Sequence, residues 1–501
     1  MNLYIDTRGA GPRPVTFTEA VVDGLAAGGG LYVPERVPEL SLEDIAALAQ
    51  LPYAPRAARI YRAFDVDLPA ETIEELMAQA YGDNFDDERI CPITSLTADT
   101  HVLELWHGPT SAFKDMALQC LPRFFSASAA QLREQGKLDH DFLILVATSG
   151  DTGKAALEGF RDVAGTEMIV FYPENGVSPM QKRQMDTQAG ENLCVCAIEG
   201  NFDDAQTGVK RIFTDEAVKA ALAAKGKMFS SANSINWGRL LPQIVYYFSA
   251  YLDLVQAGKT AMGAPINVVV PTGNFGNILA AYYAKRMGLP VRKFICASNR
   301  NNILTDFIRT GVYDRNRGFY TTISPSMDIL VSSNLERLLF HLCGEDDKKL
   351  AAWMEALQSG GAYTVDGDTA DAVRALFWAG CCDDAETVGV IRDVFARDGY
   401  LCDTHTAVAM GVYAQYKAET GDDTPAVIAS TASPYKFSDS VLDAFGCEKP
   451  ADEFEEAALL SQLSGTAVPQ PIEALRGKPV RFENRCAADK MADFVLERVG
   501  V

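Results

Sequence analysis

The sequence predicts an α/β protein in which parallel sheets are covered by helices, preceded by a small, mainly helical region. The first observation is that short, continuous apolar runs alternate with helical segments from about residue 100 onward. The second is that glycine-rich turns follow two of these runs, at points where a buried strand would lead into a helix. The third is that the first 90 residues have apolar positions at helical spacing.

Residues 1–95 are predicted to form a small leading domain. Its segments "FTEAVVDGLA", "LEDIAALAQL" and "ETIEELMAQAY" carry apolar residues three and four positions apart, which is typical of amphipathic helices. The glycine-rich turn "AAGGGLYVPE" interrupts them. We therefore expect several short helices here.

The pattern that follows in the sequence predicts two parallel sheets. "FLILVAT" (142–148), "EMIVFYP" (167–173) and "NLCVCAIEG" (192–200) are each followed by a helical segment. "INVVVP" (266–271), "VRKFICAS" (291–298) and "PAVIASTAS" (425–433) predict further buried strands. Ligands of such folds bind at the carboxyl ends of the strands. The stretch 335–425 is helix-rich, and "AADKMADFVLERVG" near the end predicts an amphipathic helix.

Composition argues against several classes of function. The 501 residues are 48% hydrophobic and 22% charged, as in ordinary globular proteins, and the net charge of −22 disfavours nucleic acid or an anionic membrane as a partner. No apolar run reaches the length of a membrane span, and the start lacks the pattern of a signal peptide, so we expect a cytoplasmic protein. The eleven cysteines and five histidines fit no disulfide framework or metal-binding spacing, so we expect no metal site.

Two predicted strand-to-helix turns, 149–153 and 272–277, are rich in glycine, hydroxyl and amide groups. Glycine lets backbone N–H groups converge on an anion at the start of a helix, although an ordinary capped turn is the more common explanation for either loop taken alone. The first is not a nucleotide-binding P-loop, because Thr148 stands where that motif has glycine and Ala155 where it has serine or threonine. The second lacks the GxGxxG spacing.

A third polar cluster begins a predicted helix in "NSINWGRLLPQIVYYF" (233–248). Asn233, Ser234 and Asn236 fall at the helix start, and Arg239 lies one turn in. A cation and amide donors at a helix N-terminus suit a phosphate dianion. A capped helix with a surface arginine is the alternative.

Lys114 stands in "HGPTSAFKDMALQ" (107–119), next to an apolar run. An apolar setting lowers the pKa of a lysine and makes its amine a nucleophile. The alternative is a surface lysine that pairs with Asp115 or passes over Phe113 to reach water.

Ten short motifs occur in order along nearly the whole chain. They are "DTRG" (6–9), "GLAAGGGLYVPE" (24–35), "HGPTSAFKD" (107–115), "TSGDTG" (148–153), "VSPMQ" (177–181), "NSINWGR" (233–239), "GNFGN" (273–277), "SPSMDILVSSNLERLLF" (324–340), "THTAV" (404–408) and "STASPYKF" (430–437). This ordered set resembles the threonine synthases, pyridoxal-phosphate (PLP) enzymes with the tryptophan synthase β-subunit fold.

The resemblance implies PLP fold type II, with two parallel-sheet α/β domains behind the N-terminal domain. The large, cofactor-binding domain would comprise residues 96–130 and 235–450, and the small domain residues 131–234. Residues 451–501 would be an extension packed on the large domain.

The resemblance also implies a cofactor site. Lys114 would form the Schiff base with PLP, the 272–277 loop would hold the cofactor phosphate, Thr431 would face the pyridine nitrogen, and Phe113 would pack nearby. The predicted cofactor-binding residues are Lys114, Phe113, Thr272, Gly273, Asn274, Phe275, Gly276, Asn277 and Thr431.

The substrate residues that the resemblance implies are Ser149, Gly150, Asp151 and Thr152 for a carboxylate, and Asn233, Ser234 and Arg239 for a phosphate. Asp151 stands where many relatives have asparagine, and its carboxylate would repel an anionic substrate unless it is protonated or turned away. Ser433 stands where many relatives have histidine, so any role of that histidine has no counterpart here.

The implied reaction converts O-phospho-L-homoserine and water to L-threonine and phosphate, in a monomer or homodimer. A related PLP-dependent lyase, either a serine or threonine dehydratase or a phospholyase, is the alternative. The predicted phosphate cluster argues against a dehydratase, which has no distal phosphate to hold. A non-catalytic sensor with this fold is disfavoured by the presence of Lys114 and both loops.

Overall fold

A computed structural model describes residues 1–11 and 13–500. The N-terminal region is mainly helical, as predicted, with one antiparallel pair of short strands. The strands are β1 (Tyr4–Asp6) and β2 (Tyr32–Pro34), and the helices are α1 (Phe17–Asp23), α2 (Leu42–Ala47), α3 (Tyr53–Ala63) and α4 (Ala70–Ala80). Reciprocal capping boxes begin α1 at Thr16 and α2 at Ser41.

The chain then starts the large sheet and continues into a second body with its own sheet. The first elements are β3 (Ile93–Ser95), β4 (Thr100–Glu104), α5 (Lys114–Leu118) and α6 (Leu121–Glu134). The second body contains β5 (Asp141–Ala147), α7 (Asp151–Phe160), β6 (Thr166–Pro173), α8 (Pro179–Asp186), β7 (Leu193–Glu199), α9 (Phe202–Thr214), α10 (Glu216–Ala224) and β8 (Lys227–Ser230).

The chain returns to the large sheet through a long buried helix and ends in a short mixed segment. The elements that complete the large domain are α11 (Trp237–Gln256), β9 (Ile266–Pro271), α12 (Gly276–Arg286), β10 (Val291–Ser298), α13 (Ile303–Thr310), β11 (Val312–Asp314), α14 (Leu335–Leu342), α15 (Asp347–Gly360), β12 (Ala362–Thr364), α16 (Gly367–Leu376), β13 (Phe377–Cys381), α17 (Asp384–Asp398), α18 (Thr404–Thr420) and β14 (Ala426–Ser430). The last elements are α19 (Ser438–Leu442), α20 (Glu453–Ser464), α21 (Gln470–Glu473), β15 (Asn484–Ala487) and α22 (Met491–Arg498).

Strand order brings the predicted loops to one place. The large sheet runs β13-β10-β9-β14-β4-β3, with β3 antiparallel to β4 and the other neighbours parallel. The small sheet runs β15-β7-β6-β5-β8 and is parallel throughout. Carboxyl ends of parallel strands share one edge of a sheet, so the segments that follow β4, β9 and β14 lie together. The helix-covered parallel sheets confirm the predicted fold class.

The C-terminal segment corrects one domain prediction. We expected residues 451–501 to pack on the large domain, and α20 does pack against α19. However, β15 pairs with β7, and α22 packs against α9, both in the small domain. The physical reason is that β7 would otherwise present an unpaired edge, which β15 covers.

Aromatic contacts fix the N-terminal region to the large domain. The Tyr4 and Trp237 ring centroids are 5.6 Å apart, and those of Phe17 and Phe124 are 6.1 Å apart. Trp237 is fully buried at the start of α11. Such aromatic pairs each add about 1 kcal/mol beyond the area that they bury.

Residues 1–11 and 13–500 lack two features that would bear on ligands and surroundings. This part of the chain contains no helix that is both long and apolar enough to cross a membrane. The same residues contain no group of three or more histidine, cysteine, aspartate or glutamate side chains placed to hold a metal ion.

Candidate active site

The predicted site residues converge on one cleft. A main cavity of about 380 Å³ is lined by Lys114 together with Ser149, Thr152, Asn233, Ser234, Arg239 and Asn274. An inner recess adjoins it and shares several of these residues. Its wall contains Phe113, Lys114, Thr272, Gly273, Asn274, Phe275, Gly276, Asn277 and Thr431. The structure therefore places Lys114 where the two spaces meet.

Lys114 begins α5, and its amine faces the cleft without a carboxylate partner in the described chain. The Asp115 carboxylate is buried and accepts hydrogen bonds from the Thr110 N–H at 2.8 Å and the Thr110 hydroxyl at 2.7 Å. Lys114 Nζ lies 4.3 Å from the centroid of the Phe113 ring. The alternative in which Lys114 pairs with Asp115 is therefore wrong.

The environment of Lys114 favours the neutral amine. Burial, helped by the positive charges of Arg239 and Lys436 and opposed by Asp151, lowers the pKa of Lys114 to about 7. Near pH 7, about half of such amines are unprotonated. An unprotonated amine is what a carbonyl-binding lysine requires.

The 272–277 loop follows β9 and leads into α12. Its conformation leaves hydrogen-bond donors at the start of α12 available to a ligand. Phe275 adopts φ 66°, and no side chain in the described residues caps the helix that follows it. Asn277 Oδ1 accepts a hydrogen bond from Tyr247, but its buried Nδ2 has no partner within residues 1–11 and 13–500. A helix N-terminus with an unpartnered amide beside it fits an anionic group such as a phosphate.

Close packing restricts this loop at Gly273. A Cβ at that position would lie 2.5 Å from the backbone oxygen of Ser326. The Ser332 hydroxyl also donates to the Gly273 carbonyl at 2.7 Å. Neither Ser326 nor Ser332 was predicted as a site residue, although both belong to the "SPSMDILVSSNLERLLF" motif.

Thr431 follows β14 and is held beside Lys114 by the backbone. The Phe113 N–H donates to the Thr431 carbonyl at 2.8 Å, and Ala112 and Ala432 form an isolated antiparallel bridge. The Thr431 side chain is buried in the wall of the inner recess. Ser433, by contrast, caps a short turn and accepts a hydrogen bond from the Tyr435 N–H.

Arg239 is a buried cation in the wall of both spaces. It is 2% exposed, and burial lowers the pKa of its guanidinium to about 10. Nη1 donates to the Ala232 carbonyl at 2.9 Å, whereas Nε has no partner in the described residues. Asn236 caps α11 as predicted, and Asn233 and Ser234 line the main cavity. A buried guanidinium with a free donor suits an anionic ligand.

The 148–153 loop is shaped by one glycine and one hydroxyl. Gly150 adopts φ 125°, and a Cβ there would lie 2.4 Å from the Gln181 amide carbon. Thr148 Oγ1 accepts hydrogen bonds from the N–H groups of Gly150 at 3.0 Å and Gly153 at 2.8 Å. Ser149 and Thr152 are left facing the main cavity.

Asp151 lies behind this wall in an ion pair that the sequence analysis missed. Its Oδ1 is 2.6 Å from Lys436 Nζ, and it also accepts from Gln181 Nε2 at 2.9 Å. Burial opposes ionisation of Asp151, but Lys436, with help from His405 and Gln181, outweighs that effect, so the pKa of Asp151 stays below its ordinary value. Asp151 is therefore ionised and paired. A signal was present, because a carboxylate in a buried turn requires a cation nearby.

The inner recess fits PLP on three observations. Lys114 offers a neutral amine, the unpartnered Asn277 amide and the start of α12 offer donors for a phosphate, and Thr431 offers a hydroxyl. His405 also lines this recess, with Nδ1 2.7 Å from Asp403 and Nε2 accepting from the Ser326 N–H. His405 was not predicted as a site residue.

Three family profiles match consecutive parts of the chain. "Threonine synthase N terminus" matches residues 3–81, "Pyridoxal-phosphate dependent enzyme" matches residues 100–381, and "Threonine synthase, C-terminal" matches residues 406–495. The second profile alone covers more than half of the chain.

Individual relatives agree with these matches. Threonine synthase from Pseudomonas aeruginosa is 41% identical over 452 residues, covering 89% of this chain and 91% of the relative. Human "Threonine synthase-like 1" is 42% identical over 487 residues, which are 94% of this chain but 64% of the human protein. The chain thus spans somewhat less than two thirds of that relative.

Solved structures show the same fold. A PLP-bound threonine synthase from Brucella melitensis superposes with a TM-score of 0.85 at 37% identity, covering 100% of this chain and 99% of that one. Yeast threonine synthase superposes with a TM-score of 0.86 at 31% identity, with coverage of 99% and 98%. By sequence, profile and fold, this chain belongs to the threonine synthase family of PLP-dependent enzymes.

Proposed function

We propose that this protein converts O-phospho-L-homoserine and water into L-threonine and phosphate. The observation that most supports this is a neutral lysine amine between two regions that suit anions. Ser149 and Thr152 line one side of the main cavity, and the buried cation Arg239 lies in the wall with Asn233 and Ser234. A substrate with a carboxylate at one end and a phosphate at the other matches this arrangement.

Lys114 would hold the cofactor through its amine, with the 272–277 loop around the cofactor phosphate and Thr431 and Phe113 beside the ring. When bound, PLP supplies an electron sink for negative charge that develops on the substrate carbons. The Lys114 amine, once free, would take the proton from the substrate Cα and return it at the end of the reaction. A pKa of about 7 suits both transfers at neutral pH.

The two anion-binding regions would supply orientation. Donors in the 149–152 loop would fix the carboxylate, and Arg239 with Asn233 and Ser234 would fix the phosphate until it leaves from Cγ. Holding both ends places Cα over Lys114 and converts binding free energy into positioning. A proton would be lost from Cβ as phosphate leaves from Cγ, a proton would be added at Cγ, and water would then add at Cβ, so that phosphohomoserine plus water gives threonine plus phosphate.

The compartment and assembly are part of the same proposal. All eleven cysteines are free thiols, which supports a reducing compartment such as the cytoplasm. The predicted site residues of one chain line one continuous cleft, which is compatible with either a monomer or a homodimer.

Product analysis tests the proposal. Purified holoenzyme would be incubated with O-phospho-L-homoserine, and threonine, phosphate and 2-oxobutanoate would be quantified. We expect threonine and phosphate in equal amounts; 2-oxobutanoate as the main product would support the lyase alternative instead. Borohydride reduction followed by peptide mapping should place the cofactor on Lys114, and a label on another residue would refute the assignment.

A further inference from the structure

We propose that Lys436 is a positioning residue of this active site, whose buried ammonium holds the Asp151 carboxylate and cancels its charge beside the substrate-binding loop. This inference rests on the proposed function, because it concerns how that loop accepts an anionic substrate. It also answers why the loop tolerates an aspartate next to groups predicted to bind a carboxylate.

Lys436 and Asp151 form a short, buried ion pair. Its Nζ lies 2.6 Å from Asp151 Oδ1 and donates to the Thr110 carbonyl at 3.0 Å. The Lys436 and Asp151 side chains are 0% and 3% exposed. Lys436 belongs to the turn Pro434–Phe437, shortly after Thr431, whereas Asp151 begins α7 in the small domain. One ion pair therefore joins the cofactor side of the cleft to the substrate loop.

The other contacts of Asp151 do not replace this cation. Gln181 Nε2 donates at 2.9 Å and the Ser326 hydroxyl at 3.5 Å, and both are neutral groups. His405 adds a favourable charge interaction from a greater distance. A buried carboxylate without a cation costs several kcal/mol and repels a second carboxylate, so Lys436 makes Asp151 compatible with an anionic substrate.

The pair also acts on Lys114. The charged groups that influence the Lys114 amine are Arg239, Asp151 and Lys436. The two cations lower the pKa of Lys114, and Asp151 raises it. Because Asp151 and Lys436 act in opposite directions, each offsets part of the other's effect on the pKa of Lys114 while both are present. Removal of Lys436 alone should therefore raise the pKa of Lys114, and removal of the Asp151 charge alone should lower it.

A purely structural role is the competing explanation. The same pair ties the large domain to the small domain, and the Ser178 hydroxyl of the small domain also donates to the Lys436 carbonyl at 3.0 Å. A simple tether would affect stability in every variant. It would not shift the titration of Lys114 up in one variant and down in another.

The test is a pH titration of the cofactor's visible absorption in holoenzyme variants. With Lys436→Met, Asp151 is unpaired and the midpoint should rise by about one pH unit; with Asp151→Asn, it should fall by about one pH unit. The double variant Asp151→Asn/Lys436→Met should return to within roughly 0.3 unit of wild type, since both charges are gone. Absence of opposite shifts, or a double variant that keeps either shift, would overturn the proposal.

One control variant and one fallback keep the result interpretable. Lys154→Met removes another buried lysine from α7, one that pairs with Glu158 at 3.3 Å and does not act on Lys114, and it should leave the midpoint unchanged. If Lys436→Met fails to fold, the titration midpoints of Asp151→Asn and of the double variant still test the proposal. A colourless wild-type protein would instead refute the proposed function, before any variant is compared.

Discussion

Arg337 donates a hydrogen bond from Nη1 to Oδ1 of Asn334 at 2.6 Å, with both side chains fully buried. Asn334 in turn donates from Nδ2 to the Ser234 carbonyl and from its N–H to the Asn274 carbonyl, each at 3.1 Å. Arg337 Nε also donates to the Tyr32 carbonyl in β2, at 2.9 Å. The N-terminal region is thus connected to both segments that are predicted to bind phosphate groups.

Replacement of Arg337 by methionine should impair both stability and substrate binding. The change leaves the buried carbonyl of Tyr32 and the partly buried carbonyl of Ile235 without their donors, at a cost of about 1 to 3 kcal/mol for the buried one. We expect the free energy of unfolding to fall by about 3 kcal/mol and the KM for phosphohomoserine to rise several-fold. Urea unfolding and steady-state kinetics measure the two effects.

Arg309→Met, at an exposed arginine, is the control for that experiment. Arg309 also donates to a backbone carbonyl, that of Ala379 at 2.8 Å, but it lies away from the cleft. Its loss should lower stability and leave KM unchanged. An Arg337→Met variant that is destabilised yet has the wild-type KM would show that the connection does not reach the site.

Replacement of Arg239 by glutamine should weaken substrate binding and leave cofactor binding nearly intact. A charge-assisted hydrogen bond contributes about 1.5 to 3 kcal/mol, so kcat/KM should fall by roughly 10- to 100-fold. Loss of this cation also raises the pKa of Lys114, so the acid limb of the pH–rate profile should move to higher pH. Kinetics over a pH range and equilibrium dialysis of PLP test both parts. Equal loss of cofactor affinity would mean that Arg239 does not serve the substrate phosphate.

The sequence was sufficient to predict those elements whose structure is determined by a local pattern. The strand Val291–Ser298 has the predicted bounds, because its apolar residues lie between a glycine- and proline-containing turn and a polar loop. The 272–277 loop was found for the same reason, since it combines a buried strand, glycines and a following helix.

The Asp151–Lys436 pair could not be found in this way. Its members are far apart in sequence, and although Lys436 belongs to the "STASPYKF" motif, nothing in that motif indicates which residue Lys436 pairs with. The pairing of β15 with β7 was missed for a related reason, because the four residues Asn484–Ala487 show no apolar alternation. Both features depend on tertiary contacts, which local propensity does not encode.

His107 should make stability depend on pH. Its Nδ1 lies 2.5 Å from Asp86 Oδ1 and its Nε2 lies 2.9 Å from Glu104 Oε2. Burial lowers the pKa of His107, but the two carboxylates outweigh it and raise that pKa to about 9. A folded-state pKa above the unfolded value of about 6.5 gives stabilisation that is complete below pH 6.5 and is lost as the pH rises through 9.

The size of that stabilisation can be measured. The pKa difference corresponds to on the order of 3 kcal/mol, so the wild-type free energy of unfolding should fall by a comparable amount relative to His107→Gln as the pH increases from 6 to 9.5. Urea unfolding at several pH values gives this difference directly. His140→Gln, at an exposed pair with Asp139, is the control and should keep the wild-type slope. Parallel pH profiles for wild type and His107→Gln would contradict the prediction.

Replacement of Gly273 by alanine should reduce PLP affinity without unfolding the protein. The new Cβ would lie 2.5 Å from the Ser326 backbone oxygen, and a backbone atom cannot rotate away as a side chain can. The 272–277 loop must therefore shift, and the donors at the start of α12 shift with it. We expect at least a roughly tenfold loss of affinity, measured by absorption during titration of dialysed protein with PLP. Gly389→Ala in α17 is the control, because its nearest neighbouring atom is 3.7 Å away. It should keep the wild-type affinity and gain up to about 1 kcal/mol in stability. Wild-type affinity in Gly273→Ala would show that this loop does not hold the cofactor.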